Sequence, residues 1–324
     1  MPLSRPSSAS RRGLLAGAAA LALLPRTGHA ADRTVRIGIQ KYGTLIILRE
    51  RKLLEPVLQP LGWSVSWHEF PGGPQLLEAL TAGALDFGTT GEAPPIFAQA
   101  AGSSLAYVGY EPPSPAGEAI LVPKDSPIRT VAELKGRTVA LNKGSNVHYL
   151  LVRALIGAGF TMGDIRTAFL APADARAAFE RGSVDAWAIW DPFLSAAQEA
   201  TGARTLVDGS GSGGPALAPN RQFFLARREF AQREPELLRT INAQVDATDR
   251  WAEQHQDEAA RLLAASMRLP LSVVARAVGR MGYGVRPLTA EVVADQQKIA
   301  DTFFDLRLIP QKLDVASAVW SPRS

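Results

Sequence analysis

Apolar and polar positions along the chain alternate between two periods. Val35, Ile37 and Ile39 are apolar at every second position and lead into Lys41-Tyr42-Gly43-Thr44, so residues 35–40 are expected to form a strand that turns into a helix over 45–58. Residues 64–70 read as a second strand. Gly72-Gly73-Pro74 opens a helix over 75–82, and Gly83 stops it. Leu85 and Phe87 then run through Gly88-Thr89-Thr90-Gly91 into Ala93-Pro94-Pro95, a strand emptying into a helix N-terminus. Such a terminus carries unpaired N–H groups and a partial positive charge, and can bind an anion without a cationic side chain. Further strands are expected at 105–110, 119–122, 138–141, 203–207 and 222–226, with a short helix at 131–135 and a longer one at 147–158. From Pro235 onward the spacing is helical, with Leu237, Leu238, Ile241, Val245, Thr248 and Ala252 on one face. Helices at 257–266, 271–280 and 289–304 read as cladding without chemistry.

One plan occurs twice. Gly83-Ala84-Leu85-Asp86-Phe87 and Gly182-Ser183-Val184-Asp185-Ala186 each stop a helix at glycine and enter a strand through an aliphatic residue and an aspartate. The second copy continues as Trp187-Ala188-Ile189-Trp190-Asp191-Pro192, and Asn142-Lys143-Gly144-Ser145-Asn146 supplies another strand-to-helix turn. The doubling argues for two similar α/β lobes, each a mixed sheet flanked by helices, followed by a helical C-terminal region. Residues 31–121 are assigned to the first part of lobe 1, 122–213 to lobe 2, and 214–324 to a return strand of lobe 1 and the C-terminal helices. The crossings fall at the proline-rich 111–115 and near 213–220. The loop 208–215 matches the glycine spacing of a dinucleotide site, but Pro215 and not a helix follows it, and that reading is rejected.

Residues 1–30 form a segment apart: Ser10-Arg11-Arg12, an uncharged apolar run over 13–24, and Gly28-His29-Ala30 at a small-residue cleavage position. This reads as a secretory signal of the twin-arginine kind, and the run is shorter than the roughly 20 apolar residues of a membrane anchor. Four of the 35 basic residues (Arg5, Arg11, Arg12, Arg26) lie in it, which leaves 31 basic against 31 acidic residues. The basic balance thus belongs to the signal and gives no case for nucleic-acid binding. Cysteine is absent, and His68, His148 and His255 share no metal-ligand spacing, so neither a metal nor a cofactor is expected.

These stretches carry a family resemblance. Ile39 to Thr44, Glu69 to Gln75, Thr89 to Ala100, Tyr107 to Pro113, Lys143-Gly144-Ser145, Pro172 to Phe179 and Val184 to Pro192 resemble the substrate-binding proteins of aliphatic sulfonate ABC importers, relatives of the taurine and nitrate binders. The resemblance implies a type II periplasmic binding protein: a monomeric, two-lobe, hinge-closing receptor in the periplasm that traps a sulfonate and delivers it to a membrane permease. It places the lining at Gln40, Thr90 and Gly91 in the first lobe and Ser145, Asn146, Trp190 and Asp191 in the second. Asp191 would repel an anion, and is expected to cap the next helix, hold a donor, or meet an amino group. Taurine, nitrate or another small anion are the alternative ligands. An enzyme is the rival class, because related two-lobe folds host pyrimidine-precursor biosynthesis; no catalytic residue is assigned.

Overall fold

The computed structural model describes residues 33–321. The expected signal segment lies outside the described residues. The strands are β1 (Arg33–Gln40), β2 (Trp63–Phe70), β3 (Phe87–Gly91), β4 (Leu105–Tyr110), β5 (Glu118–Val122), β6 (Thr138–Leu141), β7 (Arg166–Phe169), β8 (Ala186–Trp190), β9 (Arg204–Asp208) and β10 (Gln222–Arg227). The helices of the two lobes are α1 (Thr44–Glu50), α2 (Glu55–Leu58), α3 (Gly73–Thr81), α4 (Ala93–Ala100), α5 (Asn146–Gly157), α6 (Pro172–Glu180) and α7 (Phe193–Thr201). The C-terminal helices are α8 (Arg228–Arg233), α9 (Pro235–Gln254), α10 (Gln256–Met267), α11 (Leu271–Val278) and α12 (Ala290–Asp305).

Two five-stranded sheets share one plan. The first has the order β2-β1-β3-β10-β4 and the second β7-β6-β8-β5-β9. In each, the first three strands are parallel and the fourth is antiparallel to its neighbours. The repeated glycine–aspartate stretch sits at the same place in both. Gly83 and Gly182 take the left-handed conformation that glycine adopts without strain (φ 74° and 69°). Asp86 then accepts from the backbone and guanidinium of Arg36 in the middle of β1, and Asp185 accepts from the backbone of Thr138 at the start of β6. Each aspartate ties the strand after its helix to the neighbouring strand of the sheet, β3 to β1 and β8 to β6.

The sheets are buried by helices on both faces, which is why β1 reads apolar at Val35, Ile37 and Ile39, all fully buried. Gly38 and Gly88 let α3 lie close: a Cβ at Gly38 would meet Leu85 at 2.6 Å and Leu76 at 2.9 Å. β5 belongs to the second sheet from Glu118 onward, so the first crossing ends before the boundary expected at 121, and β10 returns the chain to the first sheet. The single helix expected over 45–58 is two. Lys52 is left-handed (φ 51°) and Pro56 opens α2, because proline has no N–H for a helix interior and clashes with the preceding turn. Helices α9 to α11 pack on the first sheet through Ile241, Val245, Leu263, Val274 and Val278. Helix α12 joins α4 and α5: Phe303 lies 4.8 Å from the Phe97 ring and 5.7 Å from that of His148.

Candidate functional site

The C-terminal ends of β1, β3 and β8 face one cavity of about 170 Å³ between the sheets. Open α/β sheets place ligands at this edge because strands end there and helices begin. Gly73 opens α3, Gly91 and Pro94 flank the start of α4, Ser145 and Asn146 open α5, Ala171 to Ala173 open α6, and Phe193 opens α7; all line it. The first N–H groups of a helix have no intrahelical acceptor and lie at the positive end of its dipole. Five helices, drawn from both lobes, therefore aim positive ends at one volume. Trp190, Phe193 and Met281 add apolar wall.

Six of the seven residues expected at the site line this cavity: Gln40, Gly91, Ser145, Asn146, Trp190 and Asp191. Thr90 does not. It is fully buried and its hydroxyl turns to the Gly91 carbonyl at 3.0 Å, because neighbours on a strand point to opposite faces and the cavity face belongs to Thr89 and Gly91. Gln40 is held by its amide, which donates to the Thr89 carbonyl at 3.1 Å. The Ser145 hydroxyl donates to the Asn142 carbonyl at 2.7 Å, so the donors it brings to the cavity are the N–H groups of the helix it opens.

Asn146 is a clasp between lobes. Its Oδ1 accepts from the Ala93 N–H at 3.1 Å, at the start of α4, and its Nδ2 donates to Asn220 Oδ1 at 2.8 Å, on the second crossing. Asn220 Nδ2 in turn donates to the Ser114 carbonyl at 2.9 Å, on the first. The lobes meet so closely here that a Cβ at Gly91 would lie 2.2 Å from the Asn146 amide. Behind it, burial pushes the His148 imidazole down to about 4, with the Lys143 charge adding to the shift. A neutral ring fits its place between Phe97 and Phe303, and its Nδ1 accepts from Gly144 N at 3.3 Å.

Asp191 has its counter-charge. One oxygen accepts from Ser195 N at 3.0 Å, capping the first turn of α7, and the other pairs with Arg280 at 2.9 Å. Arg280 follows α11, whose Val274 and Val278 belong to the first-lobe core, so this pair also crosses the cleft. Arg280 comes from the region read as cladding; nothing in the local pattern Gly279-Arg280-Met281-Gly282 marks it as a cleft residue. Glu111, Tyr42 and Asn220 line the cavity as well and were not expected there.

A pair of matching α/β sheets facing each other across a cleft walled by helix N-termini defines a two-lobed periplasmic binding protein fold, and solved structures share it. The chain belongs to the NMT1-like family, whose profile matches residues 30–267. It is 43% identical, over 310 residues covering 95% of each chain, to an Escherichia coli (strain K12) protein named for aliphatic sulfonate binding. Its structure is similar to that of the alkanesulfonate-binding protein SsuA from Xanthomonas axonopodis pv. citri bound to MOPS, with 43% identity, 89% of this chain and 98% of that one covered, and a TM-score of 0.83. It is similar also to the periplasmic aliphatic sulphonate binding protein SsuA from Escherichia coli, with 44% identity, 90% and 93% covered, and a TM-score of 0.79.

Proposed function

We propose that the protein is an exported, non-catalytic receptor that captures aliphatic sulfonates in the periplasm and hands them to an ABC permease. The observation that carries this reading is the convergence of five helix N-termini from two lobes on a cavity that also has an apolar wall. A sulfonate has three acceptor oxygens and stays ionised, so it asks for donors and no metal. Charge-assisted hydrogen bonds contribute about 1.5 to 3 kcal/mol each, and a micromolar complex needs about 8 kcal/mol, so four or five suffice after association costs. Gln40, Gly91, Ser145 and Trp190 are the proposed ligand contacts, with Thr89 in the place expected of Thr90. Asn146 and Asp191 hold the two lobes around them.

Calorimetric titration against ethane-, butane- and hexanesulfonate, taurine, nitrate and sulfate tests the reading. Alkanesulfonates should bind in the micromolar range or tighter, and a folded protein that gives no heat with any of them is not such a receptor. Export by the twin-arginine route belongs to the same proposal: with Arg11 and Arg12 both changed to lysine, precursor should stay in the cytoplasm, and normal periplasmic yield would exclude that route. A monomer is proposed as well, and light scattering at a mass other than that of one chain would exclude it.

A further inference from the structure

The cavity is not electrically uniform. Helix starts wall one side, whereas Glu111 lines it from the first crossing with Tyr42 beside it. Glu111 is only 5% exposed. The hydroxyl within its reach is that of Thr44, and Thr44 Oγ1 donates its one proton to Asp249 Oδ1 at 2.7 Å. Asp249 is fully buried and takes a further hydrogen bond from Gly284 N. Two buried carboxyls thus share one hydroxyl proton, and Glu111 is the one left short of a donor. The Tyr42 hydroxyl is buried without a partner among the described residues. The other charges around this corner are Lys41, which lines the same cavity and stands 3.7 Å from Glu69, Asp191 and Arg280, which neutralise each other at 2.9 Å, and Asp246 and Glu253 behind Asp249, which add negative potential. Tyr283 completes the surroundings.

We propose that Glu111 is a specificity-determining residue of this cleft and selects sulfonates that carry a protonated nitrogen at the other end of a short chain. The proposal rests on the sulfonate reading above and names the substrate class within it. An ammonium or protonated tertiary amine supplies what the corner lacks: N–H donors for the Glu111 carboxylate and for the lone pairs of the Tyr42 hydroxyl. Its charge also offsets the acids that Arg280, already paired, does not reach. Burial, with the Asp249 charge adding to it, holds the Glu111 carboxyl well above the usual carboxylate range, so its ionised form is disfavoured until a counter-charge arrives. A docking cation draws the group into its ionised form and the proton leaves to solvent. A plain alkanesulfonate brings no such counter-charge and should release nothing. Serving as a cap for α1 would not account for this placement, since Asp249 already takes the Thr44 hydroxyl, and a purely structural Glu111 would not distinguish one ligand from another.

The test is calorimetry of the purified protein at pH 7 with propane-1-sulfonate and 3-aminopropane-1-sulfonate, each in phosphate and in Tris so that aminosulfonate buffers are absent. The amino compound should bind about tenfold tighter or more, the worth of one charge-assisted hydrogen bond. Its heat should depend on the buffer, reporting proton release, while that of propane-1-sulfonate should not. Glu111→Gln should lose both the preference for the amino compound and the proton release. Equal wild-type affinities for the two ligands, or a preference that survives in Glu111→Gln, overturns the proposal. The wild-type comparison decides it even if the variant does not fold. Binding of neither compound overturns the sulfonate reading itself, which is a different result from binding of both alike.

Discussion

At the residue scale, the site divides between what a local pattern can announce and what only the folded chain brings near. Gln40, Gly91, Ser145 and Trp190 stand at strand ends or helix starts, and their neighbours in sequence say so. The choice between Thr89 and Thr90 needs the strand's facing, which one residue of register reverses. Arg280 reaches Asp191 across 89 positions of chain, and no sequence spacing encodes such a meeting. Gly91 gives the sharpest expectation here. Methylation at its Cα would place a carbon 2.2 Å from the Asn146 amide, which two hydrogen bonds hold in place. Gly91→Ala should therefore weaken ligand binding by about 1 to 3 kcal/mol, the cost of giving up those bonds or of leaving the lobes ajar. Combining it with Asn146→Ala should recover part of the loss, so the two changes should be clearly non-additive in a double-mutant titration. Full additivity would mean that this contact does not control closure.

At the element scale, most of both sheets was legible, since strands that end in small residues before helices are marked twice, by period and by turn chemistry. Strand β7 was not. Arg166–Phe169 has four residues on an outer position, half exposed, with too little alternation to stand out. The α1–α2 break was announced by Pro56 and overridden by the apolar run around it. The repeat holds as a plan in both sheets, but its two aspartates differ in energy. Asp86 has a side chain 5% exposed and meets both Arg36 and Arg227, at 2.8 and 2.9 Å. The Asp185 side chain is 34% exposed, and Arg137 stands 3.8 Å away. Asp86→Asn should cost about 2 to 3 kcal/mol in urea denaturation, because it leaves two guanidinium groups without their charge partner, while Asp185→Asn should cost less than about 1 kcal/mol. Burial pushes the Asp86 carboxyl up, and hydrogen bonds from Arg36 and Arg227 more than reverse it, so it lies below its ordinary value. That contribution is complete above the ordinary carboxylate value and fades as pH falls through the lower, folded one. The gap between wild type and Asp86→Asn should accordingly narrow only in acid, and equal urea midpoints for the two aspartate variants near pH 7 would contradict the argument.

At the scale of the whole molecule, the lobes are joined by two crossings and by contacts that span the cleft: Asn146 to Ala93, Asp191 to Arg280, and Glu199 to Ser272 at 2.8 Å. A pair of acids lies where the crossings enter the lobes. Glu92, fully buried at the start of α4, accepts from Asn220 N and Arg221 N of the second crossing, and burial raises it to about 7. Glu118, fully buried where the first crossing becomes β5, has both carboxylate oxygens without a partner among the described residues. Burial raises it well above its ordinary value, with the charges of Glu92 and Asp208 adding to the shift. Below the ordinary carboxylate value both folded and unfolded chains are protonated there, and burying the group carries no charge penalty. As pH rises past that value the unfolded chain ionises first, so the folded state loses ground until its own carboxyl titrates. Glu118→Gln keeps the shape and removes the ionisation, so it should raise the melting temperature by several degrees more at pH 8 than at pH 5. Asp249 and His148 titrate in both proteins and cancel in the difference, whereas Glu92, which interacts with Glu118, is eased by the same change and adds to the gain. If the gain is the same at both pH values, Glu118 does not set the pH dependence, and the slope must be sought at Glu92, where Asn220 and Arg221 already supply two donors to the charged form.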